Sequence, residues 1–373
     1  MPGDDLYRRL QEQLDRLPIP FPATESGVEL RILERLFSRD QAYVALALGL
    51  VPETATVIAK RLASWPSERV RDTLDRMAEQ GLIHRIPLRK GTRYANAPFV
   101  VGIYEGQLGS LTPELQRDVE IYLKEGFGRA VHNETTPQMR TVPVNAAIAL
   151  ERHVASYDDI RAFVTSSSGP FAVMDCICRK GREMVGEPCS QTKLRQTCLT
   201  LGFAADAMVE RGLGRPITRD EMLGILQDAD REGLVLQPQN TSDPLFVCCC
   251  CGCCCGVLRS AKMFPEPASY FAATYRAAVD AELCAACGVC VERCQMDAIE
   301  LADDVSTIDA QRCIGCGLCV TTCTAGAIRF EANEAEPAPP SDTSALYMKI
   351  YRERFGAVAA AKLVAKAILH KQA

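Results

Sequence analysis

The chain has 373 residues, 47% hydrophobic and 24% charged, which is enough for two or three ordinary globular domains. Its net charge of −5 gives no support for nucleic-acid binding by the chain as a whole. The start, MPGDDLYRRLQEQLDRL, lacks an apolar signal segment, and the longest apolar stretches are too short to span a bilayer. Nineteen cysteines lie between Cys176 and Cys323. In a reducing cytoplasm, which we expect here, clustered cysteines indicate metal binding or catalysis rather than disulfides.

The first recognisable pattern is a helix–helix–hairpin unit over residues 54–99. Val70, Leu74 and Met77 recur at helical spacing and predict an amphipathic helix. The segment 84–99, HRIPLRKGTRYANAPF, predicts a two-stranded hairpin. Together these elements resemble the winged-helix part of bacterial regulators of the ArsR or MarR type.

The charges of this unit bear on whether it binds DNA. The second helix carries both signs: Arg69, Arg71 and Arg76 against Glu68, Asp72, Asp75 and Glu79. The hairpin is basic and could contact phosphate, through Arg85, Arg89, Lys90 and Arg93. Because the acidic groups offset the basic ones in the helix, a scaffold or docking role is favoured over DNA binding.

The central region brings the first cysteines, spaced C-x-C-x10-C-x8-C: Cys176, Cys178, Cys189 and Cys198. FAVMDCIC (171–178) predicts a buried strand that leads into the first pair. Residues 196–214 predict a helix, and a further helix follows Thr218, whose hydroxyl and Glu221 form a capping-box pattern. Four thiolates from separate places could close a third [4Fe–4S] site or another metal site. The alternative is that several of these cysteines are plain buried residues.

A dense cysteine run, FVCCCCGCCCGV, occupies residues 246–257. Adjacent side chains of an extended backbone point to opposite faces, so at most two or three of these thiols can reach one cluster. We expect part of the run to share the central site with Cys176 and Cys178, and Cys189 and Cys198 to be either ligands or reserve thiols. A redox-active thiol pair is a second interpretation. The candidates within the run are Cys250, Cys251, Cys253, Cys254 and Cys255.

The strongest signal is an internal repeat of C-x2-C-x2-C-x3-C. CAACGVCVERC (284–294) and CIGCGLCVTTC (313–323) have the same spacing at an offset of 29 residues. Three cysteines three residues apart suit one [4Fe–4S] cube, while the fourth leads away from it. Two zinc sites are the alternative, but zinc ligands typically come as separate C-x2-C pairs.

Residues 278–332 resemble bacterial two-cluster ferredoxins, in which the fourth cysteine of each motif ligates the other cluster. The resemblance implies one cluster held by Cys284, Cys287, Cys290 and Cys323, and another held by Cys313, Cys316, Cys319 and Cys294. Gln295 and Thr324 stand where that family often has proline. The segment is acidic, with nine Asp and Glu against three Arg, which would suit a basic face on a redox partner protein.

The chain as a whole is similar to larger ferredoxin-type proteins of anaerobic bacteria, through Cys176-Ile177-Cys178-Arg179, the run 250–256 and the repeat. We therefore expect an α+β protein. Its predicted parts are a winged-helix-like α domain (1–105), a central α/β Cys-rich domain (106–275), a two-cluster ferredoxin domain (276–332), a linker (333–343) and a basic amphipathic C-terminal helix (344–373).

The resemblance implies cytoplasmic iron–sulfur electron transfer, as a carrier or as a subunit of a redox complex. Two alternatives stay open: a redox-responsive iron–sulfur regulator that binds DNA, and a reductase that acts at the central cysteines. The C-terminal helix, which we expect to break near Gly356, either docks on an acidic partner or membrane surface or packs back on this protein, for instance on the acidic ferredoxin part.

Overall fold

The computed structural model describes residues 3–89, 91–132, 135–144, 158–333 and 336–368. Within these residues the backbone is a mixture of helix and sheet, consistent with the α+β class. It divides into two compact units, one of residues 1–135 with 347–373 and the other of residues 136–346. Lys90, residues 334–335 of the predicted linker and residues 369–373 of the predicted C-terminal helix lie outside the described residues.

In its described residues, the first unit is mainly helical and contains a hairpin of strands β1 (Ile83–Leu88) and β2 (Gly91–Asn96). The helix Ser67–Glu79 buries Val70, Leu74 and Met77, as their spacing predicted. The hairpin follows that helix directly, also as predicted. The other helices of this part are Gly3–Asp15, Val28–Leu36, Arg39–Ala45, Ala55–Ala59, Pro113–Tyr122 and Gly128–His132, with π-type turns at Phe99–Ile103 and Leu123–Phe127.

The C-terminal segment forms two helices, Thr343–Phe355 and Ala357–Ile368. Gly356 separates them with a φ of +85°, a left-handed conformation that favours glycine, so the break lies where it was predicted. The guanidinium of Arg354 donates to the backbone carbonyl of Leu17 and lies 3.8 Å from the carboxylate of Asp15. The first of these helices therefore packs, through Arg354, against the N-terminal part of the same unit.

The second unit is built on a five-stranded antiparallel sheet in the order β5-β3-β4-β7-β6. The strands are β3 (Phe171–Asp175), β4 (Gln196–Leu201), β5 (Gly214–Ile217), β6 (Val235–Pro238) and β7 (Phe246–Cys250). The accompanying helices are Ile160–Ser166, Ile177–Met184, Phe203–Glu210, Arg219–Arg231 and Gly256–Lys262. This sheet places the start of the dense cysteine run on β7, between β4 and β6.

One predicted element of this unit is wrong in its first third. The helix expected over 196–214 begins only at Phe203, because residues 196–201 form β4 in the middle of the sheet. β4 pairs with β3 on one side and β7 on the other, and these tertiary contacts override the local sequence pattern. Thr218 is the N-cap as predicted, since its hydroxyl accepts from the backbone N–H of Glu221, while the Glu221 carboxylate pairs with Arg215 instead of completing the capping box.

The segment that carries the repeat folds with visible internal duplication. Its two-stranded sheets pair β8 (Tyr275–Val279) with β11 (Ile328–Ala332), and β9 (Ile299–Ala302) with β10 (Val305–Ile308). Short helices at Val289–Arg293 and Leu318–Thr322 follow Gly288 and Gly317. Those glycines have φ values of 73° and 75°, so each motif turns through the same left-handed residue before its third cysteine.

Candidate metal centres

Backbone N–H groups point at cysteine sulfurs in both copies of the repeat. Ala298 donates to Cys294 Sγ at 3.3 Å, and Ala327, its counterpart 29 residues later, donates to Cys323 Sγ at 3.2 Å. Donors aimed at sulfur favour the thiolate over the thiol, and in iron–sulfur proteins such bonds help to set the potential. At Cys294 burial outweighs this effect and raises the pKa of the thiol, so what the two copies share is a backbone donor placed at the sulfur of the fourth cysteine.

One cavity of this segment is lined by four cysteines from both motifs: Cys294, Cys313, Cys316 and Cys319. These are the residues that the resemblance assigned to one cluster, including the cysteine that crosses over from the first motif. The rest of the lining is mainly apolar, with Met296, Ile299, Ile308 and Leu318 among its residues. A space bounded by four thiols and otherwise apolar fits a cluster that takes all its ligands from cysteine.

The other expected quartet gathers in part around Ser306. The backbone N–H of Ser306 donates to Cys284 Sγ at 3.4 Å, and its hydroxyl lies 3.3 Å from Cys290 Sγ. This N–H is the main reason that the pKa of Cys284 is lower than usual. Ser306 thus ties together two of the cysteines expected to share a cluster with Cys287 and Cys323.

The two copies of the motif differ in exposure. Cys287 is exposed, and beside it Val289 is 43% accessible, whereas Leu318, which corresponds to Val289, is 1% accessible. Burial also raises the pKa of Cys319 in the second motif. The first motif is therefore open to solvent around Cys287 and Val289, whereas the corresponding part of the second motif is covered.

The central cysteines divide into two groups. The first, which we call the Cys253 group, contains Cys189, Cys251, Cys253 and Cys254, whose sulfurs all lie within 4.8 Å of one another. The side chains of Cys251, Cys253 and Cys254 contact one another. The contact with Cys251 is the largest cause of the lowered pKa of Cys253. This group draws its sulfurs from the loop around Cys189 and from the turn that follows β7.

The second, which we call the Cys255 group, is a chain of touching thiols. Cys176 contacts Cys178, Cys178 contacts Cys255, and Cys255 contacts Cys250. Cys176 and Cys255 are the N-caps of the helices Ile177–Met184 and Gly256–Lys262. Contact with Cys178 is the largest cause of both pKa shifts: it raises the pKa of Cys176 well above its ordinary value and lowers that of Cys255 to about 5.

Of the remaining central cysteines, Cys198 and Cys248 adjoin the Cys255 group and Cys249 does not. Cys248 and Cys198 are paired residues of β7 and β4, and their side chains are in contact, as are those of Cys248 and Cys250. Cys249 lies on the opposite face of β7 from these two, because side chains alternate along a strand. It is buried, and burial raises its pKa to about 12. Cys249 is therefore a buried cysteine that points away from both groups, although its neighbours in the chain are candidate ligands.

A buried arginine lies between the two groups. Arg179 is 1% accessible and donates to the hydroxyl of Thr197 and, at 2.8 Å, to the carbonyl of Cys249. Burial by itself lowers the pKa of Arg179, but Cys176 and Cys251 raise it above its ordinary value. The sulfurs of Cys176 and Cys251, one from each group, are therefore the groups that raise the pKa of Arg179 most.

The spacing along the chain left open which central cysteines lie together, and the structure divides them between the two groups. Cys176 and Cys178 lie with two of the candidates from the dense run, Cys250 and Cys255. Cys189 lies instead with Cys251, Cys253 and Cys254. Sequence reasoning missed the role of Arg179, although the arginine directly after Cys178 was a visible signal.

Gln295, the residue that replaces proline after Cys294, connects the repeat to the dense run. Its Oε1 accepts from the backbone N–H of Gly252 at 2.7 Å, and its Nε2 donates to Gln191 Oε1 at 3.1 Å. A Cβ on Gly252 would lie 2.2 Å from the carbonyl oxygen of Gln295, so only glycine fits this contact. The departure from the ferredoxin pattern therefore has a structural reason.

Comparison with known proteins agrees with the duplicated cysteine geometry. A family model described as a 4Fe-4S dicluster domain matches residues 272–328. No curated protein and no solved structure matches the chain. The match and the central cysteine group support a ferredoxin-type iron–sulfur protein that binds metal. Among the helices that the structure describes, none is both long and apolar enough to cross a membrane.

Proposed function

We propose that the chain is a cytoplasmic ferredoxin-type electron-transfer protein that holds two [4Fe–4S] clusters, acting as a carrier or as a subunit of a redox complex. The observation that carries the proposal is the cavity lined by Cys294, Cys313, Cys316 and Cys319. It unites three cysteines of one motif with the fourth of the other, the cross-ligation that a two-cluster ferredoxin requires. All nineteen cysteines are outside disulfides, a pattern that is typical of cytoplasmic proteins.

Each quartet supplies four thiolates to one cube, and the bound cubes supply one-electron chemistry. The protein's part is to hold the sulfurs and to stabilise their charge. N–H groups of Ala298, Ser306 and Ala327 donate to Cys294, Cys284 and Cys323, respectively. Burial of the second quartet lowers the local dielectric, and exposure of the first leaves it accessible to a partner.

Electron exchange with a partner protein takes place at the first motif. Leu283, Val289 and Leu301 are 53%, 43% and 41% accessible around the exposed Cys287. Acidic residues of the same segment, among them Glu282, Glu300, Asp303 and Asp304, are also exposed. An apolar patch with an acidic rim suits a partner whose own docking face is basic around an apolar centre.

The alternative of a DNA-binding regulator has less support. On the helix Ser67–Glu79, Arg69 is engaged by Asp40 at 2.7 Å and stacks on Trp65. Arg85 of the hairpin lies 3.7 Å from Asp75 of the same helix. Basic side chains that already face carboxylates contribute less to phosphate binding. The reductase alternative depends on free thiols at the central site, and metal analysis tests it directly.

The test is anaerobic purification of the full chain, with iron and sulfide counted per chain and EPR spectra of the reduced protein. Two clusters give about eight irons and an EPR spectrum of two interacting centres. Zinc in place of iron, or colourless protein, would overturn the proposal. Salt-dependent DNA binding that follows the cluster state would favour the regulator instead.

Electron transfer itself is tested by reducing the protein chemically and mixing it with an oxidised, basic electron-carrier protein. Leu283→Glu is expected to slow the bimolecular step without changing the iron content, because it places a charge in the apolar docking patch. Val364→Glu provides a matched control, since Val364 is 45% accessible and lies in the C-terminal helix. Equal slowing by both variants would remove the first motif as the docking face.

A further inference from the structure

The spacing of the sulfurs in the Cys253 group indicates how many metal ions it can hold. Cys189 Sγ lies 3.7 Å from Cys251 Sγ and 3.6 Å from Cys253 Sγ, and Cys253 Sγ lies 3.7 Å from Cys254 Sγ. A tetrahedral ion with four sulfurs at about 2.3 Å holds those sulfurs about 3.8 Å apart. The observed separations therefore match four thiolates on one ion.

A [4Fe–4S] cube requires a wider arrangement, because each of its four thiolates binds a different iron. The ferredoxin repeat shows that contrast inside the same chain. Among the described residues, which include all nineteen cysteines, neither repeat quartet brings its sulfurs within 4.8 Å of one another, whereas the Cys253 group does. The central quartet is thus built for a smaller centre than the quartets of the repeat.

The surroundings supply the charge that such a centre needs. Four thiolates on a divalent ion carry a net charge of about −2, which is costly to bury without a cation. Arg179 contacts Cys251, is 1% accessible and leaves its Nε without a hydrogen-bond partner. In the described part of the chain no carboxylate forms an ion pair with Arg179, so its charge is not already compensated and can balance that of a metal–thiolate centre beside it.

Hydrogen bonds also hold the ligand loop in place. The hydroxyl of Ser190 and the backbone N–H of Gln191 donate to Cys253 Sγ. Thr192 Oγ1 donates to Glu232 at 2.7 Å, and Gln191 Nε2 donates to the Glu232 carbonyl at 2.8 Å. The bonds to Cys253 hold the segment that carries Cys189 against the turn with the other three ligands, and the bonds to Glu232 anchor that segment to the end of the helix Arg219–Arg231.

We propose that Cys189, Cys251, Cys253 and Cys254 bind a single tetrahedral metal ion, zinc or iron, as a centre separate from the two clusters of the repeat. The four-thiolate tetrahedron is chemistry that both metals accept. Arg179 compensates the charge of the centre. The Gln295–Gly252 hydrogen bond places the centre next to Cys294, the cross-over ligand of the second repeat quartet.

The experiment measures zinc and iron per chain in full-length, anaerobically purified protein and in two variants, Cys253→Ser and Cys249→Ser. Cys253→Ser is expected to lose one ion per chain and to keep the EPR signals of the repeat. Cys249→Ser should lose none, because its side chain lies on the other face of β7. If the lost ion is zinc, the iron count is unchanged. If it is iron, the count falls by one and the Mössbauer component of an isolated iron disappears.

Two results would overturn the proposal. A loss of about four irons in Cys253→Ser would show that this group holds a cube instead. Equal metal content in wild type and Cys253→Ser, with the thiols open to alkylation, would show free thiols and favour a thiol redox centre.

A second measurement covers the case in which Cys253→Ser does not fold. Chelator-treated wild-type protein is titrated with Co²⁺, which gives the charge-transfer bands of a tetrahedral cobalt thiolate when four cysteines bind it. One equivalent of Co²⁺ should saturate the bands in wild type and in Cys249→Ser, and Cys189→Ser should lose them. Bands that persist in Cys189→Ser would place the ion elsewhere.

Discussion

The repeat and the Cys253 group bring four cysteine sulfurs together in different ways. In the repeat, three ligands of each quartet come from one short loop, and a duplicated left-handed glycine shapes each loop. In the Cys253 group, Cys189 lies 62 residues before Cys251, and folding of the sheet brings them together. The comparison teaches that ligand spacing along the chain predicts a site only when the site is local.

A glycine next to a neighbouring carbonyl is common to both regions. Gly315, between Cys313 and Cys316, would place a Cβ 2.0 Å from the carbonyl oxygen of Tyr275. Gly252, between Cys251 and Cys253, would place one 2.2 Å from that of Gln295. In each case a cysteine loop packs closely against the backbone of another segment. The loop with Gly315 packs against strand β8, and the loop with Gly252 packs against the residue that follows Cys294 of the repeat.

The largest effect should come from removing a ligand of the buried repeat quartet. Cys319→Ser is expected to lower the iron content by about four per chain and to abolish the interaction between two paramagnetic centres. Iron analysis and EPR measure both. Cys249→Ser is the matched control, since it too changes a buried cysteine. Unchanged iron in Cys319→Ser would break the parallel between this quartet and a ferredoxin.

Arg179 provides the next test, because the repeat, over its described residues, has no buried arginine beside its cysteines. Arg179→Met leaves the surrounding thiolates without a counter-charge, which should lower the free energy of unfolding by about 3–5 kcal/mol. The loss should be larger in metal-loaded than in chelator-treated protein, as measured by denaturant unfolding of each. Arg179→Lys keeps the charge and should recover part of the loss. Equal losses in both states would mean that Arg179 does not compensate a metal centre.

The two glycines should each cost less than the arginine. Gly315→Ala is expected to lower the free energy of unfolding by about 3 kcal/mol, through overpacking and a left-handed φ of +68°. Gly252→Ala is expected to cost about 2 kcal/mol through overpacking alone. Denaturant unfolding measures both.

Two other glycines separate these causes. Gly326 has a φ of +67° with open space around it, so Gly326→Ala isolates the backbone strain. Gly224 lies in the helix Arg219–Arg231, also with open space, so Gly224→Ala should be neutral or stabilising. If Gly326→Ala cost as much as Gly315→Ala, the contact with Tyr275 would be unimportant.

The smallest effect should come from restoring the ferredoxin-like proline. Cys294 has a φ of −74° and a ψ of 116°, which accommodate a following proline. Gln295→Pro therefore loses mainly the hydrogen bonds to Gly252 and Gln191, at a cost of about 1 kcal/mol in unfolding free energy. The iron content should stay the same. Thr324→Pro, at the corresponding exposed position of the second motif, should change stability by less than about 0.5 kcal/mol.

Much of the local structure could be predicted from the sequence. The amphipathic helix around Leu74, the hairpin after it, the cap at Thr218 and the break at Gly356 all follow from patterns within a few residues. Strand β4 could not be predicted, because its state depends on pairing with strands on both sides. The placement of the C-terminal segment beside Asp15 and Leu17 also depends on contacts far away in the chain.

The sequence by itself determined the repeated iron–sulfur motif, since evenly spaced thiols and a glycine shape each loop without help from distant residues. It also showed that the dense run could not serve one centre, because strand geometry sends neighbouring thiols to opposite faces. Only the tertiary structure decided how the central cysteines divide and that Arg179 lies between the groups. The physical reason is that these partners are far apart in the chain, and their proximity depends on the packing of the sheet.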